Sequence, residues 1–140
     1  MSQFRDLMQK YVNLEYNELL AIGKKALGEA YPVLKNLLPD QKDSAVYVVL
    51  TILLGAVGAD GTLSVKERQF MKDLLDLDDA AIDNFIKLYT GKEEETVRSI
   101  VKLVDADTKI NVITIVTCIV ACDETITVDE LSFVESLLGI

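Results

Sequence analysis

Apolar residues recur along most of this chain at the three-to-four spacing of a buried helix face. Phe4, Leu7, Met8, Tyr11 and Val12 predict a helix over 3–12. Leu14, Leu19, Leu20, Ile22 and Leu27 predict a second over 14–29. Pro32 suits the first turn of a further short helix ending near Leu38, and Pro39 then breaks the chain. Asp40 offers an N-cap to a long apolar helix running to about Gly58. Ser64 opens an amphipathic helix to about Leu75, and Asp78 opens one through "DAAIDNFIKLY". Residues 92–104 carry acids in their first turn, which suits the helix dipole. Asp105 or Asp107 caps a second apolar helix to about Cys122, Thr127 caps the last helix, and Gly139 ends it.

Val, Ile and Thr crowd residues 46–57 and 110–120, a composition that also suits buried strands. Length favours helix, because these uncharged runs exceed an ordinary strand. No Gly- or Pro-rich linker divides the chain. The expected fold is all-α: a single compact helical domain of about seven helices.

The two apolar helices open an internal repeat. Residues 49–75 align without gaps on 112–138, at an offset of 63, with 11 of 27 positions identical. Each copy is an apolar helix, an acidic turn and an amphipathic helix. The expected organisation is N-terminal helices in 1–39, a first half in 40–104 and a second in 105–140. The halves are expected to pack about a pseudo-twofold axis, with the apolar helices at the centre.

The turns, "ADGTLSVKE" at 59–67 and "CDETITVDE" at 122–130, end like EF-hand loops. That reading fails on oxygen count. With Glu67 as the closing glutamate, Ala56 and Gly58 fall where the first two side-chain ligands belong. Ile119 and Ala121 fall there in the second copy, and Glu124 replaces the glycine. "SVKE" and "TVDE" are instead capping boxes, in which Ser64 or Thr127 exchanges hydrogen bonds with Glu67 or Glu130. Capping leaves Asp60 and Asp123 unexplained. They could close the preceding helix or an Asx turn, or join Glu67 and Glu130 as hard oxygen ligands for Ca2+ or Mg2+.

Composition narrows the chemistry. The net charge is −9, and it is uneven. Residues 1–39 hold five basic and four acidic side chains, whereas residues 40–140 hold nine and nineteen. Such a body repels nucleic acid and anionic lipid heads. There is no histidine, which removes the commonest general base and metal ligand. No nucleophile motif, phosphate loop or dinucleotide fingerprint occurs, so catalysis is not expected. Cys118 and Cys122 read as buried free thiols, which suits the cytoplasm. The longest uncharged run, 44–59, has 16 residues, short of the about 20 that span a bilayer. The start is charged and lacks a signal-peptide core, so direct membrane insertion is not expected.

"VGADGTLSVKERQFMKDLL" and "VACDETITVDELSFVESLL" together resemble the TerB-like domain of tellurite-resistance proteins and DjlA-type co-chaperones. The resemblance covers about residues 44–138. It implies antiparallel helices with internal pseudosymmetry, and a metal-ion site of Asp60, Glu67, Asp123 and Glu130. It also implies non-catalytic work in stress or metal-response systems, beside other proteins that include membrane-associated ones. The alternative is a plain protein–protein adaptor or homodimer in which the acidic motifs only cap helices. Residues 1–39 lie outside the motifs and read as a cover or an interaction arm. Phe4, Tyr11, Tyr16 and Tyr31 there are interface anchors or core and rim residues.

Overall fold

A computed structural model describes residues 3–36, 44–57, 63–87, 93–122 and 128–139. Among these residues every regular element is a helix. There are eight: α1 (Gln3–Tyr11), α2 (Tyr16–Leu34), α3 (Ser44–Val57), α4 (Val65–Leu75), α5 (Asp79–Lys87), α6 (Glu93–Leu103), α7 (Ala106–Ala121) and α8 (Val128–Leu138). One buried apolar cluster draws on all of them.

The apolar runs are helices, and their threonines show how β-branched polar residues fit there. Thr51 donates to the carbonyl of Tyr47 (2.8 Å), Thr114 to Ile110 (2.9 Å) and Thr117 to Ile113 (2.6 Å). Each hydroxyl is satisfied one turn back, so Thr51 and Thr117 can be buried without an orphaned polar group. α7 is buried almost all round: Val112, Ile113 and Ile115 to Val120 are all inaccessible. α3 is similar, from Val48 to Leu54. Helices apolar on every side belong at the centre.

Which helix covers which does not follow chain order. α2 lies on α7, the most extensive helix–helix contact in the molecule, and α6 lies on α3. α4 touches α2 and α7, while α8 touches α6 and α3. α3 and α7 also meet each other, and α1 lies on α7.

One expectation in the first 39 residues needs correction. Pro32 does not start a separate helix; it sits inside α2. Proline forfeits one backbone hydrogen bond there, but the last turn is held otherwise. Lys35 N donates to Tyr31 O at 3.0 Å, and the Asn36 side chain donates to Pro32 O at 3.0 Å. Ala30 and Leu34, on either side, are fully buried and keep the segment docked. The N-terminal helices pack as a cover, the first of their two expected roles. Phe4 and Met8 of α1, and Leu19, Ala26, Ala30 and Leu34 of α2, all belong to the buried cluster.

Phe4 is therefore not an interface anchor. Tyr11 and Tyr16 are half-buried against the core, and Tyr31 is exposed. The Asp40 cap, the end at Gly58 and the Thr127 cap lie outside the described residues. The last helix does end at Gly139, whose φ of 70° is the left-handed value glycine adopts freely. No described helix is long and apolar enough to cross a membrane.

Candidate functional site

α4 begins with the expected capping box. The Ser64 hydroxyl accepts from Glu67 N at 3.1 Å, and Glu67 Oε1 accepts from Ser64 N at 2.9 Å. Glu67 is buried, so the box both satisfies the helix start and gives a buried carboxylate a partner. One of its oxygens is thus committed to the helix. Glu130, three residues into α8, is exposed. Asp60 and Asp123 lie outside the described residues, so the structure does not test whether the four acids converge. Among the described residues no group of three or more acids, cysteines or histidines is close enough to hold a metal.

A groove of about 480 Å³ lies beside the start of α4. Val12 and Leu14, in the α1–α2 turn, form one wall with Leu19 of α2. Val65 of α4 and Ala121 and Cys122 at the end of α7 also line it. The lining is mainly apolar, with Glu15 and Lys66 also contributing. Val65 is 86% and Val12 52% exposed, unusual for valines that share a concavity. Val65 lies within the first acidic stretch, at the start of α4, and Cys122 opens the second, just after α7. One described flank of each turn, the start of α4 and the end of α7, therefore lines the same groove. Sequence patterning missed it because Val12 and Leu14 read as the ends of two helix stripes rather than as a wall.

Polar groups around the groove are engaged structurally. The Tyr16 hydroxyl donates to Asp73 of α4 at 2.5 Å, and its ring meets Phe70 edge-on at 6.3 Å. Burial and the Asp73 carboxylate hold the phenol pKa well above its usual value, so Tyr16 stays protonated. Tyr16, and then Gln69, hold the Asp73 carboxyl below the ordinary range. Behind α4, Arg68 binds Asp79 (2.9 Å) and Asp83 (2.5 Å), and Lys72 binds Asp79 (3.1 Å), which clamps α5. Cys122 donates its thiol to Ile119 O at 2.9 Å. Both cysteines are buried and free, as expected. The described lining thus offers apolar surface beside the hydrogen-bonded Tyr16, Gln69 and Cys122, an arrangement suited to binding.

No family model, curated protein or solved structure matches the chain. The TerB-like resemblance rests on its two motif copies.

Proposed function

We propose that this chain is a non-catalytic binding module of TerB-like design that docks another protein in the groove beside its acidic turns. The observation that carries the reading is that one flank of each acidic turn lines the same apolar concavity. A docking site needs exposed apolar surface next to polar groups that set orientation. Val12 and Val65 supply the first; the acidic turns, by sequence, adjoin the second.

The exchange of helix partners supports the duplicated design. Swapping α2 with α6, α3 with α7 and α4 with α8 turns α2-on-α7 into α6-on-α3, and α4-on-α7 into α8-on-α3. The same swap turns α2-on-α4 into α6-on-α8. The bounds of α4 and α8 also coincide at the offset of 63. These exchanges suit a pseudo-twofold pair and bring in α2 and α6, which the sequence alignment leaves out, although α2-on-α3 and α3-on-α4 have no counterpart of similar extent. The family resemblance places such modules in stress or metal-response systems.

The test is site-specific photo-crosslinking in cells from a benzoylphenylalanine at position 12. We expect a dominant protein adduct, identified by mass spectrometry, that Val65→Asp abolishes. Val65 is exposed, so its replacement should leave the fold intact within about 0.5 kcal/mol. An adduct pattern unchanged by Val65→Asp rejects the groove. If the adduct is a second copy of the chain, light scattering must show a dimer that the same substitution dissociates.

The cation reading uses the same turns and rests on their repeated acids in the sequence. Asp60, Asp123, Glu67 and Glu130 would supply the oxygens for Ca2+ or Mg2+. Glu67's part is reduced by its capping bond. Calorimetry should give binding heat with the wild type and none with Asp60→Asn combined with Asp123→Asn. A wild type that gives no heat with either ion leaves the acids as turn and cap residues.

A further inference from the structure

We draw no further inference here: the strongest candidate, the exposed apolar patch around the Tyr47–Phe85 ring pair where α5 meets α3, carries nothing because nothing in the structure shows what covers it.

Discussion

Gly23 and Gly28 lie on one helix and should respond to alanine in opposite directions. At Gly23 an added Cβ would sit 3.0 Å from Phe70 Cζ and 3.4 Å from Leu74 Cδ1. Phe70 is fully buried and has nowhere to move. Alanine gains about 1 kcal/mol of helix propensity, but overpacking a filled core costs about 1–3 kcal/mol. Gly23→Ala should therefore lose roughly 1 kcal/mol in urea denaturation. Gly28 has no atom within 4 Å of the added Cβ. Gly28→Ala should raise stability by about 0.5–1 kcal/mol in the same assay. The thiols should separate too. Burial pushes the Cys118 pKa up to about 12, so almost none is thiolate at pH 8. Cys122 lines the groove. Both thiols are buried, so Ellman's reagent should label each slowly in the folded protein, Cys122 faster than Cys118, and both at once in denaturant. Equal slow rates in the folded protein would contradict the placing of Cys122 at the groove.

At the scale of elements, the caps carry much of what can be tested. Asp105 accepts from Thr108 N at 2.8 Å and caps α7. The Thr108 hydroxyl, and then its amide, hold the carboxyl below the ordinary Asp value of 3.8. The unfolded chain therefore takes up this proton first as pH falls. The cap's contribution is complete above that ordinary value and is lost as pH drops through the lower folded one. Asp105→Asn should be less stable than wild type at pH 6, and the gap should narrow by pH 3, read as urea midpoints. The caps were legible in sequence because an acid or hydroxyl before an apolar stripe has a local cause: Asp105, Ser64 and Asp78 all stand where the pattern put them. Pro32 was misread because its tolerance is not local; Ala30 and Leu34 hold that turn from the core. The inner stripe of α2 was also misjudged. Its deepest residues include Gly23, Ala26 and Ala30, small side chains that let α7 and Phe70 approach. A search for large apolar residues passes over them and picks Leu20, Ile22 and Leu27, which end only partly buried.

For the molecule as a whole, the N-terminal helices decide whether there is a core at all. α2 is the main cover of α7, and α1 adds Phe4, Met8 and the Arg5–Glu135 ion pair at 2.7 Å to α8. Removing residues 1–34 would expose the face of α7 that α2 and α1 hide. Each lost large core side chain is worth about 2–5 kcal/mol, and a domain this size holds only about 5–15 in total. The truncated chain should show helical circular dichroism without a cooperative melt. A sharp transition in that truncation would mean that the remaining helices form a sufficient core alone. The groove, by contrast, was invisible in the sequence because its walls come from three places far apart in the chain. The acidic turns that flank it were visible, since each repeats the other.

The crossing of partners also has a consequence in time. α2 leaves the ribosome early, yet its main partner, α7, ends only at Ala121. α3 likewise waits for α6. Long-range pairings of this kind slow folding, because the loop must close before the contact repays it. During synthesis the main partner of α2 arrives only after some seventy further residues, and that of α3 after about forty, at roughly 5–20 residues per second. For several seconds each nascent chain is then a client for whatever shields apolar helices in its cell, and a crowded polysome is where this protein is most exposed to aggregation.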